Sequence, residues 1–105
     1  MLIVETSVFT RRVTKLLADE NYRLLQHALI ARPECGDVIR GSGGLRKIRW
    51  SGSGRGKRGG VRIIYHWAAT RQTILMLLVY AKNEQDDLSP DQLKLLKKLV
   101  EEEFE

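Results

Sequence analysis

Residues 61–80 read VRIIYHWAATRQTILMLLVY: two runs of β-branched, aromatic and aliphatic side chains flank a short, more polar stretch. Composition makes Val61 to Trp67 and Thr73 to Tyr80 strands, and Ala68 to Gln72 is short enough to join them as a hairpin. In the second run both parities are apolar, with Leu75, Leu77 and Val79 on one face and Ile74, Met76 and Leu78 on the other. A strand that is apolar on both faces is covered on both, so it belongs inside a sheet.

Working outward, Leu45 to Trp50 alternates basic and apolar positions, which suits a third, half-buried strand. Gly36, Gly41, Gly43 and Gly44 break the chain into a loop before it. Residues 51–60, SGSGRGKRGG, hold nothing that could seed a core and read as a flexible basic loop between strands. At the N-terminal end, Leu2 to Glu5 is a short strand followed by Thr6 and Ser7, either of which can cap a helix. Val8, Phe9, Val13, Leu16 and Leu17 then recur at helical spacing. Asp19 reads as a second cap, and Tyr22, Leu25, Ala28 and Leu29 extend one apolar face until Pro33 stops the run.

Near the C-terminal end, Ser89, Pro90 and Gln92 form a capping box with proline at the first helical position. Leu93, Leu96, Leu99 and Val100 supply the apolar stripe of that helix, while Lys94, Lys97, Lys98, Glu101 and Glu102 face out. The acidic tail opposes the helix dipole, so the last turn is expected to fray. The order is β-α-α-β-β-β-α, a small α+β domain over residues 1–105 in which helices pack on a mostly antiparallel sheet.

Charge points to the partner. Val38 to Asn83 holds no Asp or Glu, yet carries Arg40, Arg46, Lys47, Arg49, Arg55, Lys57, Arg58, Arg62, Arg71 and Lys82. The flanks set eight bases against thirteen acids, so a chain of net charge +5 contains a central block of +10. Like charges at this density destabilise a compact state unless a polyanion completes the balance, and nucleic acid is the natural candidate. A chain of 105 residues with 43% apolar content fits one domain with a small core. Cys35 is the only cysteine, so no intramolecular disulfide forms, and no Cys/His spacing suits zinc. Met1 to Val4 has no basic lead, and no run approaches the roughly 20 apolar residues of a membrane span. These features fit a soluble cytoplasmic protein without a metal or membrane partner.

Strand alternation sorts the cations. Lys47 and Arg49 point one way, while Ile48 and Trp50 point the other and can enter the core. Arg62 and His66 share a face of the next strand. If the two strands pair, Lys47, Arg49 and Arg62 converge on one patch, overhung by Lys57 and Arg58, where charge-assisted hydrogen bonds would hold a phosphodiester. Arg46, Arg55, Lys57 and Arg58 border that patch and are candidates for binding RNA. The competing explanation is a set of ordinary solvent-facing bases, but a structural surface normally intersperses signs.

The segment around Gly56-Lys57 is not a Walker loop, because three residues rather than four follow Gly52 and Arg58 stands where Ser or Thr is needed. His66 has the intrinsic pKa for proton transfer, though a histidine in an aromatic strand also suits a partly buried sheet residue. Tyr80 and Lys82 lie at the rim of the last strand, and Tyr80 suits core as well as site. Glu84, just past the acid-free block, is a further candidate or a neutraliser of Lys82. His27 reads as a surface residue of the second helix. No Ser/His/Asp or Cys/His set is arranged for nucleophilic catalysis, and no helix is dense enough in bases to read DNA in a groove.

Gly43-Gly44-Leu45-Arg46-Lys47-Ile48-Arg49, Gly54-Arg55-Gly56-Lys57-Arg58-Gly59-Gly60-Val61-Arg62-Ile63-Ile64-Tyr65 and Tyr80-Ala81-Lys82-Asn83-Glu84 with Asp87-Leu88 together resemble the RelE superfamily of bacterial toxins, nearest its HigB-type, RelE-like branch. The resemblance implies an endoribonuclease that enters the ribosomal A site and cuts mRNA. It further implies attack by the RNA 2′-hydroxyl, no metal or other cofactor, and inhibition by a cognate antitoxin. By position, Lys47, Arg49 and Arg62 correspond to the family's catalytic cations, strand residues that bind the phosphate and stabilise charge during attack, and Lys82 lies at the catalytic site contributed after the last strand. Family members often carry Arg, His or Tyr near the end of the last strand or beyond; here Lys82, Asn83 and Glu84 follow Tyr80. The general base and acid stay open, with Lys47 a candidate base and Lys82 or Lys57 a candidate acid. The alternative is a non-catalytic RNA- or ribosome-binding module using the same cations for affinity alone.

Overall fold

A computed structural model of the protein describes residues 1–51 and 60–104. The elements run β1 (Leu2–Glu5), α1 (Ser7–Leu16), α2 (Asp19–Ala31), β2 (Asp37–Val38), β3 (Arg46–Trp50), β4 (Val61–Ala68), a 3-10 turn (Ala69–Arg71), β5 (Thr73–Ala81) and α3 (Pro90–Phe104). The sheet order is β1-β5-β4-β3-β2, so β5 lies inside the sheet, as its two apolar faces require. β1 pairs with β5 in parallel and the other ladders are antiparallel, which makes the five-stranded sheet mixed.

The α+β reading and the order of its seven elements hold, with one addition. The two-residue β2, placed in a glycine loop by the sequence reading, pairs with the start of β3. Its turn closes on Ser42, whose hydroxyl donates to the Ile39 carbonyl at 2.5 Å and accepts from the Leu45 N–H at 2.9 Å. A strand of two residues carries too little periodicity to be seen. Residues 52–59, where the flexible basic loop was expected, lie outside the described residues.

Two helices cover one face of the sheet and one covers the other. Phe9, Val13 and Leu17 of the α1 segment and Leu25 and Leu29 of α2 pack against Val61, Ile63, Tyr65, Ile74, Met76 and Val79. On the opposite face, Leu96 of α3 packs with Leu45, Ile64, Leu75, Leu77 and Tyr80. The alternation expected for β5 therefore fails halfway along. The register shifts between Ile64 and Tyr65, which pair with Leu78 and Met76 and leave Leu77 as the extra residue of a bulge. Beyond it the parity inverts: Val79 joins the α1/α2 face and Leu78 joins the α3 face.

The helix ends follow the local chemistry. Thr6 caps α1, its hydroxyl accepting from the Phe9 N–H at 3.1 Å. Asp19 is not a cap: Ala18 holds that position without a side-chain bond, and Asp19 and Glu20 instead place negative charge in the first turn of α2. The capping box of α3 is reciprocal, with Gln92 N–H donating to Ser89 Oγ at 3.1 Å and Ser89 N–H donating to Gln92 Oε1 at 2.9 Å. The fraying expected for α3 gives way to docking. Arg71 stacks over the Phe104 ring at 5.4 Å and donates to the Phe104 carbonyl at 3.1 Å, setting a cation against the C-terminal dipole.

Candidate active site

The bulge decides which side chains meet. Across the ladders Arg49 of β3 stands opposite Arg62 of β4, and Arg62 stands opposite Tyr80 of β5. Directly opposed residues share a face, so these three form one row across the α3 side of the sheet, spanning roughly 10 Å at the usual strand spacing. Without the extra residue Leu77, Tyr80 would have turned toward α1 and α2. The bulge is held from outside the strand: the Thr6 hydroxyl that caps α1 also donates to the Leu77 carbonyl at 2.9 Å. Lys47 lies two residues from Arg49 on the same face of β3.

Arg62 and Tyr80 are 8% and 1% exposed, whereas Arg49 is open to solvent. The Tyr80 hydroxyl is buried and has no hydrogen-bond partner among the described residues. Burial raises the Tyr80 pKa, as does the Asp87 carboxylate, while the Arg62 charge works the other way. The phenol is thus held as a neutral donor beside the Arg62 guanidinium.

A carboxylate also enters the row. Lys47 Nζ donates to Asp87 Oδ1 at 2.8 Å. Asp87 comes from the loop between β5 and α3, which is tethered along its length. Glu84 accepts from the Ala81 N–H at 2.9 Å and receives Arg12 of α1 through both carboxylate oxygens at 2.5 and 2.7 Å. Arg12 also donates to the Val79 carbonyl at 2.8 Å, and Gln85 donates to Gln92 Oε1 at 2.9 Å and to the Asp87 carbonyl at 2.8 Å. Both acids titrate below the ordinary carboxylate range, Glu84 chiefly through the Ala81 N–H and then Arg12, and Asp87 chiefly through Lys47. Asp87 belongs to the sequence stretch that resembles the RelE superfamily, and no role follows for it from that resemblance. The signal that could have singled it out is the cap two residues later, which fixes where the loop must end.

Of the other candidates, Lys82 is exposed just past β5, and its N–H donates to the Gly60 carbonyl at 3.2 Å. Glu84 is bound to Arg12, not to Lys82. Arg46 is opposite Tyr65, on the other face of the sheet from the row, and its guanidinium donates to the carbonyls of Glu34 at 3.0 Å and Gly36 at 2.7 Å. It braces the loop after α2 together with Tyr65, whose hydroxyl donates to the Pro33 carbonyl at 2.7 Å and accepts from the Gly36 N–H at 2.8 Å. Tyr65 is pushed up to about 12, burial being the main cause. His66 shares the Arg62 face but lies four residues along β4, about 13 Å away. There its ring faces Phe104 at 5.8 Å, and burial lowers its pKa against the pull of the Gly44 carbonyl. His66 is therefore not brought to the row. Arg55, Lys57 and Arg58 lie outside the described residues.

Two guanidinium groups, an ammonium and a neutral phenol on one rigid sheet face are suited to hold a phosphodiester and to stabilise charge that grows on it. Among the described residues no group of three or more His, Cys, Asp or Glu side chains could hold a metal ion. Among the described residues no helix is long and apolar enough to cross a membrane. The family model described as the RelE toxin of the RelE / RelB toxin-antitoxin system matches residues 1–105. Spanning the α+β fold and the cationic sheet face alike, that match makes this chain a member of the RelE toxin family of toxin-antitoxin systems.

Proposed function

We propose that the protein is an endoribonuclease that cuts mRNA in the A site of the ribosome, in the cytoplasm, and that a cognate antitoxin silences it by covering the cationic face. The observation that carries this is the row of Arg49, Arg62 and Tyr80 in direct register across three strands, with Lys47 beside it. RNA supplies the nucleophile. Attack of the 2′-hydroxyl on the adjacent phosphorus, its proton passing to solvent water, and expulsion of the 5′-oxygen leave a 2′,3′-cyclic phosphate and a 5′-hydroxyl, and the charge gathers on the non-bridging oxygens in between.

Arg49 and Arg62 bind those oxygens, each guanidinium able to engage two at once. Lys47 adds a point charge, and the neutral Tyr80 phenol donates a hydrogen bond to the phosphorane. Lys82, exposed just past β5, is the candidate we assign to protonate the leaving oxygen. Because the cations are held by the sheet before substrate arrives, little reorganisation remains to be done in the transition state.

The test is to add the purified chain to a reconstituted translation reaction and to the same mRNA without ribosomes, then map new 5′ ends. Cuts within codons only when ribosomes are present, lost in Lys47→Ala or Arg62→Ala, are the expected result. Cuts on naked RNA would mark an autonomous nuclease, and no cuts by folded protein would leave an RNA- or ribosome-binding module.

A further inference from the structure

The central block excludes acids over 46 consecutive residues, yet a carboxylate reaches the cationic row from the loop beyond it. Asp37, opposite Lys47 across the β2–β3 ladder, is nearer in the sheet, but the carboxylate bound to Lys47 Nζ is that of Asp87. The contact is directed by anchors on both sides of Asp87: Gln85 holds its backbone carbonyl, and the Ser89–Gln92 capping box fixes the chain two residues later. The Asp87 side chain is also 77% exposed, so it can leave without a buried cavity opening behind it.

A carboxylate oxygen at 2.8 Å from an ammonium is the geometry a phosphate oxygen would take there. We propose that Asp87 is a positioning residue that acts through Lys47: its carboxylate takes the seat of a phosphate oxygen at Lys47, holds Lys47 beside the row, and must be displaced when RNA binds. This rests on the reading of the row as a phosphodiester site. The tether gives the internal carboxylate an advantage over any single free anion, because it competes intramolecularly. A polyanion that also engages Arg49 and Arg62 overcomes it.

The probe is a labelled single-stranded RNA hexamer, fully 2′-O-methylated so that it cannot be cut, titrated with the purified full-length chain at several salt concentrations. Asp87→Asn should bind about three- to fivefold tighter than the parent at low salt, the range of an exposed ion pair. Its log–log salt slope should steepen by about 0.7, one extra counterion displaced on a single strand. Asp87→Glu should return most of the parent behaviour, and Asp87→Asn should have no effect in a Lys47→Ala background. Circular dichroism confirms that each variant is folded. If Asp87→Asn leaves affinity and slope unchanged while Lys47→Ala and Arg62→Ala still weaken binding, the internal-occupant role is wrong and the phosphate site stands. If none of the three substitutions changes binding, the phosphate site falls and the proposal with it.

Discussion

Tyr80 buries a hydroxyl that no described residue satisfies. A buried donor left without a partner costs stability, so its deletion should be neutral or favourable for folding. Tyr80→Phe is therefore expected to keep or slightly raise the melting temperature while reducing cleavage in the translation assay. A drop in both would make Tyr80 a packing residue instead. Arg46 should behave oppositely. Its guanidinium is spent on the carbonyls of Glu34 and Gly36, so Arg46→Ala should cost about 1–3 kcal/mol in denaturant unfolding and leave the salt slope of RNA binding unchanged. A shallower slope would return Arg46 to the RNA-binding set. Chemistry and placement rather than count divide the basic block, since a guanidinium fixed by backbone carbonyls on the far face of the sheet keeps its charge but cannot bring its donors to a phosphate beside Arg49 and Arg62.

At the scale of elements, one hydroxyl serves two structures. Thr6 caps α1 and satisfies the carbonyl of the bulged Leu77, and the bulge turns Tyr80 toward Arg62. Thr6→Val keeps the side-chain volume and removes both bonds, so it should lower stability by about 1–2 kcal/mol and lower cleavage beyond what the loss of folded protein explains. Equal losses in the two would uncouple the bulge from the site. Gly60 is a second such point. Its φ is +58°, and a Cβ there would clash with the Trp50 carbonyl oxygen, so Gly60→Ala should destabilise the β3–β4 pair by about 1–3 kcal/mol, read as a lower denaturation midpoint. Much of this level was legible in the sequence. The two central strands, the helices on either side of the glycine-rich centre and the Ser89–Gln92 capping box follow from local periodicity and side-chain chemistry. The bulge did not, because Leu77 and Leu78 are equally apolar and nothing in Thr73 to Tyr80 marks where the parity inverts. Lys47, Arg49 and Arg62 could be placed together because the β3–β4 ladder that joins them runs in regular alternation without a bulge. Tyr80 and Asp87 could not, one depending on the shifted register and the other on a loop whose path is set by Arg12, some seventy residues earlier in the chain.

Over the whole molecule, α3 lies along one sheet face with its first turn near the cationic row and its last near His66, so its docking links the two ends. His66 sits under that last turn against Phe104, with Arg71 and Glu101 the charged residues lining the same cleft. Its Nδ1 is buried and without a partner among the described residues. Burial holds the folded-state pKa of His66 below the ordinary value of 6.5, so the unfolded chain binds the proton more readily. The stability that depends on neutral His66 is then complete above pH 6.5 and is lost as pH falls from there through the lowered folded value. Denaturant midpoints should accordingly decline between pH 7.5 and 5.5, and His66→Gln, which cannot acquire the charge, should flatten that decline while leaving the pH 7.5 midpoint nearly in place. His27, exposed on α2, is the control: His27→Gln should keep the parent's slope. If His66→Gln also keeps it, the acid sensitivity does not arise at the α3 terminus. Should the slope flatten, α3 is anchored at His66 by burial of a neutral ring, and the acidic last turn, with Glu101, Glu102 and Glu103 facing solvent, stays docked because Arg71 and Phe104 hold it against its own dipole.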